Sequence, residues 1–175
     1  MVLGVARARP WRGRAAGERA SRAPVAGAEC TFARDTTSRE QLEEALLGFA
    51  HEIAFDLRQR RCWARTVSIK VRRHDFHTVT RSHTLREPTC LAADLYRVGA
   101  ALLRKLDPRW AVRLIGLAAE NLMSSEGRQR LLFGEQDKQT LLERGLDQIR
   151  TRFGGDAIQP ARLLRQDGEQ PADLQ

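Results

Sequence analysis

Lysine is scarce in this chain. Of its 30 basic residues only Lys70, Lys105 and Lys138 are lysines; the planar guanidinium that dominates instead suits phosphate recognition, but a coding bias towards Arg and Ala produces the same skew and carries more weight. Cysteine is also sparse. Cys30, Cys62 and Cys90 are odd in number, far apart and free of CxxC or Cys/His ligand spacing, so neither a disulfide framework nor a zinc site is indicated, and a reducing, cytoplasmic setting is the expectation. No uncharged apolar run approaches the roughly 18 residues of a membrane span. The Arg-interrupted N-terminus lacks the apolar core of a signal peptide, so no membrane partner is expected. Stacking aromatics are missing where an RNA-binding sheet of the RRM type would need them, on its first and third strands, which sets that reading low.

What is present fits one domain. The 175 residues are 42% hydrophobic, enough for a core, and carry a formal net charge of +8. The charge is uneven: residues 1–28 hold six Arg against one Glu, residues 29–122 hold sixteen bases against twelve acids, and the remainder eight against nine. Residues 1–26 show no sustained periodicity and read as a disordered Arg-rich arm, either a solvated tail or a non-specific contact to nucleic acid.

The residues 65–85, RTVSIKVRRHDFHTVTRSHTL, organise the rest. Val67, Ile69 and Val71 alternate with Thr66, Ser68, Lys70 and Arg72, and Val79 and Leu85 with Thr78, Thr80, Ser82 and Thr84. That period of two predicts a hairpin turning at His74–His77. Its polar face of hydroxyls, with Lys70, Arg72, Arg73, Arg81 and Arg86 on or near it, suits phosphate oxygens; an ordinary solvated sheet face accounts for it equally well.

A short strand ending at Asp35, anchored by Phe32, precedes this hairpin. Ser38 to Gln41 then read as a capping box opening a helix whose stripe runs through Leu42, Leu46, Phe49, Ile53 and Leu57. After the hairpin, Pro88–Thr89 open a second helix with Leu91, Leu95, Val98, Leu102 and Leu106 inward, closed at Asp107–Pro108. Residues 110–122 form a last strand with Ile115, Leu117 and Ala119 on the core side. The order strand, helix, strand, strand, helix, strand predicts an α+β fold, βαββαβ, with four strands and two helices on one face. Residues 123–136 read as a linker around the apolar knot Leu131–Phe133, residues 137–160 as a C-terminal amphipathic helix stopped by Gly154–Gly155, and residues 161–175 as a loose tail.

Glu29 with CTFARD, the hairpin, EPT at Glu87, RLIGL at Arg113 and LDQIRTRFGGDAI at Leu146 together resemble the little finger of Y-family translesion DNA polymerases, of the DNA polymerase IV type, over about residues 17–160. The resemblance implies a domain of residues 27–122 that grips primer-template duplex by backbone contacts, with Lys70, Arg72, Arg73, Thr78, Thr80, Arg81, Ser82 and Arg113 as DNA-binding residues. It places the catalytic carboxylates in a palm domain with no counterpart here; Glu40, Glu43 and Glu44 read as helix-surface charges. No catalytic residue, metal or other cofactor is therefore expected of this chain, which is expected to be monomeric. Gln129, Leu131, Leu132 and Phe133 resemble the peptide by which family members dock on the bacterial sliding clamp, with Arg130 where a leucine is usual. Two further departures stand out: Ala118 and Glu120 occupy places usually held by an arginine and a small polar residue, and Arg61 replaces the glycine usual at the end of the first helix. Either the chain is a DNA-binding and clamp-tethering module of lesion bypass, or it is the C-terminal part of a split or mis-started polymerase.

Overall fold

The computed structural model describes residues 25–107, 109–124 and 135–163, with residues 135–137 and 156 described by backbone alone. Seven main elements follow in order: β1 Ala26–Thr36, α1 Arg39–Gln59, β2 Cys62–Arg73, β3 Thr78–Thr89, α2 Ala92–Leu103, β4 Val112–Ser124 and α3 Glu135–Phe153. The first six make the predicted βαββαβ unit, an antiparallel sheet in the order β1-β4-β2-β3. The hairpin β2–β3 therefore pairs with the last strand, and β1 and β3 form the edges.

One sheet face is covered by α1 and α2. Val67, Ile69 and Val71 of β2 and Ile115, Leu117 and Ala119 of β4 point into this layer and are almost wholly buried, meeting the apolar stripe of α1 at Leu42, Leu46, Phe49, Ile53 and Leu57. Gly99 of α2 sets the spacing. A Cβ there would lie 2.9 Å from a terminal methyl of Leu117 and 3.8 Å from both Ile69 and Leu46, so a larger residue would have to displace the Leu117 tip for α2 to sit this deep at the junction of α1 and the sheet.

Local chemistry explains where the boundaries depart from expectation. The Ser38 hydroxyl accepts from the Gln41 amide at 3.3 Å, but Gln41 does not reach back to Ser38 to close the box. Its side chain instead accepts from Thr36 Oγ1 at 2.7 Å, and Thr36 Oγ1 accepts the Ser38 amide at 3.1 Å, so Thr36 relays the second half of the cap. Pro88–Thr89 do not open α2. Past a bulge β3 continues to Thr89, which pairs with Ala64; a proline is tolerated on an edge strand, and the helix begins three residues later, behind Leu91. Phe32 packs at the margin of the core, while Ala26 and Ala28 are the buried residues of β1.

The left-handed residue closing α1 is Arg61, at φ 53°. A side chain in that region crowds the following carbonyl, so the departure read from the sequence is a strained cap.

Residues 135–163 return to the helix layer. Arg58, near the end of α1, reaches α3 with its Nε 2.6 Å from Asp147 Oδ2 and its Nη2 2.7 Å from Asp147 Oδ1, while Nη1 donates to the Cys90 carbonyl at 2.8 Å and to Glu143. Glu143 in turn accepts the Ala92 amide at 3.0 Å. That bond supplies the oxygen that Leu91, at the N-cap of α2, cannot offer. Burial pushes the Glu143 carboxyl above its ordinary range, with the Arg58 charge working against it. Burial works to lower the Arg58 pKa, but the Asp147 hydrogen bond and the two carboxylate charges outweigh it and raise it. The tail expected from residue 161 makes contacts up to Leu163: Arg162 donates to the Tyr96 hydroxyl at 3.2 Å and to Glu43 at 3.4 Å.

Candidate nucleic-acid interface

The sheet face away from the helices carries the even-numbered side chains of the hairpin. Cross-strand partners in an antiparallel ladder share a face, so the pairs Thr66–Thr84, Ser68–Ser82, Lys70–Thr80 and Arg72–Thr78 build two parallel rows of hydroxyls and cations on β2 and β3. Thr78, Thr80, Ser82 and Thr84 are exposed, and Thr66 and Ser68 lie deeper. The predicted Lys70, Arg72, Thr78, Thr80 and Ser82 are thus brought together.

β4 and β1 extend the surface with Leu114, Gly116, Ala118 and Glu120 and with Gly27, Glu29 and Thr31. Its centre is a shallow hollow over Gly116, bounded by Glu29, Ser68, Lys70, Thr80 and Ala118. A Cβ on Gly116 would come within 2.9 Å of the Glu29 Cβ and 3.3 Å of the Ala28 carbonyl. With none there, Lys70 from β2 reaches over β4 and meets Glu29 of β1 at 3.1 Å. Ser68 Oγ donates to Glu120 at 2.5 Å, Asn121 Nδ2 to Thr66 at 2.8 Å, and Arg72 Nε to Thr78 at 3.1 Å. Of the charged side chains that the strand register places on this face, Lys70 and Arg72 stand against the carboxylates Glu29 and Glu120. Glu120 was flagged in the sequence; Glu29 as the partner of Lys70 was not, because only the placing of β4 between β1 and β2 brings them together.

The remaining predicted cations lie elsewhere. Arg81 pairs with Ile69, and so belongs to the opposite, helix-side face at the β3 edge, where it donates to the Thr80 carbonyl. Arg73 has the same parity as Val71 and does not join Lys70 and Arg72: its guanidinium lies 5.1 Å from the Trp110 ring centre and 3.1 Å from Asp75. The odd numbers of both residues were the available signal. Arg113 stands at the turn end of the sheet, held by Asp35 at 3.0 and 3.4 Å and stacked 4.7 Å from the Phe76 ring centre. In the turn, the His77 amide bonded to Asp75 lowers that carboxyl below its usual value against the opposing effect of desolvation, helped by the neighbouring Arg73, His74 and His77. Gln129, Leu131, Leu132 and Phe133 lie outside the described residues, as do residues 1–24.

Comparison with known proteins gives this surface a family. Residues 25–132 match the impB/mucB/samB family C-terminal domain. DNA polymerase IV of Moorella thermoacetica is 36% identical over 136 residues, 77% of this chain and 34% of that protein; DNA polymerase IV of Desulfatibacillum aliphaticivorans is 34% identical over 143 residues, 79% and 36%. The chain thus spans about a third of the length of these curated relatives. Among solved structures, a DinB family error-prone DNA polymerase from Sulfolobus solfataricus shares the fold at a TM-score of 0.51 and 18% identity over 58% of this chain and 30% of that one. A Y-family DNA polymerase chimera does so at 0.52 and 20%, over 62% and 31%. With a family model matched across the whole βαββαβ unit, the chain belongs to the impB/mucB/samB family as its C-terminal domain, homologous to part of DNA polymerase IV and similar in fold to Y-family polymerases.

Proposed function

We propose that this chain binds primer-template DNA through its open sheet face, without sequence preference and weakly, and that it tethers to a sliding clamp through Gln129, Leu131, Leu132 and Phe133. The observation that carries the first part is the one-sided sheet: helices cover one face, and the other presents four exposed hydroxyls in a row beside Lys70 and Arg72. Hydroxyls and cations of this kind contact phosphate oxygens and position a duplex without reading bases. The affinity is weak because Glu29 and Glu120 cancel the charge of the two cations. Arg113 and, from the sheet edge, Arg81 contribute at the margins rather than at the centre.

Nucleotide addition is not an activity of the chain in this reading. Two-metal transfer needs converging carboxylates, which the family resemblance places in a separate palm domain. A second reading is the C-terminal part of a split or mis-started polymerase IV whose palm is encoded upstream. Both readings ask the same of the sheet face. Replacing Lys70 and Arg72 together by Gln is expected to weaken primer-template binding at least tenfold on DNA of any sequence; unchanged binding removes the sheet face from the account. For the clamp, Leu132→Ala with Phe133→Ala is expected to abolish binding with the melting temperature unchanged, burial of each side chain being worth about 1.5–3 kcal/mol. Unfolding of the double variant instead places these residues in the core.

A further inference from the structure

The tip of the β2–β3 hairpin carries a second feature that phosphate contacts do not use. Phe76 is 64% exposed and sits at φ 65°, a left-handed conformation that is an outlier for a bulky side chain and persists only where the surroundings impose it. They do so here from several directions. The Phe76 amide donates to the Arg73 carbonyl at 3.0 Å, the Arg73 amide donates to the His77 carbonyl at 2.9 Å, and the His74 amide donates to the Ala111 carbonyl at 2.9 Å. Asp75 accepts the His77 amide at 3.0 Å. Beneath the turn Arg73 stacks on Trp110, and beside it the Arg113 guanidinium stacks on Phe76 itself, fixed in turn by Asp35.

The result is a rigid aromatic ring held out into solvent and backed by a cation. The charges at the tip are matched, Arg113 with Asp35 and Arg73 with Asp75, so the tip has little to offer a phosphate. What it presents is a flat, polarised ring with most of its area free. Such a ring, paired with a guanidinium, suits the π-face of a nucleobase, and a base can reach it only when unpaired and unstacked.

We propose that the hairpin tip is a stacking platform for an unpaired base at the single-strand end of a primer-template, with Phe76 as the stacking residue and Arg113 as its backing; this rests on the nucleic-acid reading above. The test compares, with the full chain, primer-templates whose overhang carries either bases or abasic sites, so that phosphate number is constant. The chain is expected to prefer the base-bearing overhang by roughly five- to hundredfold, the range of base–aromatic stacking. Phe76→Gly, which relieves the left-handed residue and keeps the turn, is expected to remove this preference while leaving the abasic substrate bound as before, and Phe76→Trp to retain it. Loss of affinity for both substrates alike, or a preference that survives Phe76→Gly, overturns the proposal, as does binding of both without preference by the unaltered chain. Failure of the unaltered chain to bind either substrate defeats the sheet-face reading and the platform with it.

Discussion

Replacing Arg58 by Met detaches α3 rather than unfolding the domain. The Arg58 side chain is only 8% exposed and faces two acidic side chains, Glu143 at 14% and Asp147 at 9%. Removing one side of a buried ionic cluster costs about 3–5 kcal/mol, because the remaining charges are left unpaired away from water. The fold has a cheaper route. Apart from this cluster the described contacts of α3 are chiefly with the short turn at Gly155–Ala157 that follows it, and the further tie, Arg162 to Glu43, is a partly exposed pair of a kind worth about 0–1 kcal/mol. When α3 swings away, both carboxylates return to water and the penalty is avoided. The Ala92 amide then loses its Glu143 acceptor, at a cost of about 1 kcal/mol to the start of α2. The assay is hydrogen exchange with thermal unfolding on the same protein: amides across Glu135–Phe153 lose protection, while those of Val67–Val71 and Ile115–Ala119 keep theirs and the main transition falls by only a few degrees. Replacing all three residues at once, Arg58→Met with Glu143→Leu and Asp147→Leu, is expected to restore protection of α3, since an apolar contact of similar volume removes the unpaired charge. A single cooperative transition in Arg58→Met, with protection lost equally in the sheet and in α3, refutes the reasoning.

Three further outcomes follow from the geometry. Glu120→Gln is expected to tighten primer-template binding about threefold, the value of removing one carboxylate about 6 Å from a phosphate in a water-like dielectric, ~0.7 kcal/mol, and Glu29→Gln to do so further by releasing Lys70; a fall in affinity for either contradicts the assigned face. Arg61→Gly is expected to stabilise the domain by about 1 kcal/mol by relieving the left-handed cap, read as a rise of several degrees in melting temperature, and a fall would show that Arg61 is held there by something other than the chain's path. Burial, with the charges of Arg150 and Arg58, lowers the His51 pKa below its ordinary 6.5. The unfolded chain then takes up a proton before the folded one, so stability is lost as pH falls below about 6.5, and His51→Gln is expected to flatten the decline in urea midpoint between pH 7 and 5.

Local patterns were legible and long-range pairings were not. The α1 stripe, the hairpin alternation and the inward side of β4 all show periodicities that a single element imposes on its own sequence. The strained cap at Arg61 showed in the sequence only as a departure from the glycine usual in the family it resembles. The faces of Arg73 and Arg81 were equally local, since both share the parity of the buried Val71 and Val79 side of the hairpin, and grouping them with Lys70 by proximity in sequence overrode that count. By contrast, the Lys70–Glu29 bridge needs three strands in register and a glycine in the middle one. The α3 tie joins residues 85 and 89 apart in sequence, and it turns the acidic side of that helix inward while Leu141, Leu142 and Phe153 stay exposed. An amphipathic stripe taken alone assigns the opposite face to the core.

The salt dependence of primer-template binding, measured on the full chain and on a form lacking residues 1–24, tests the central claim most directly. Each phosphate neutralised on duplex DNA contributes a slope of about −0.9 to log affinity against log salt. With Lys70 and Arg72 at the centre of the face, the shortened form is expected to keep a slope of about −2. A slope near zero in the shortened form, with all salt-sensitive binding confined to the full chain, contradicts the sheet face as the DNA-binding surface.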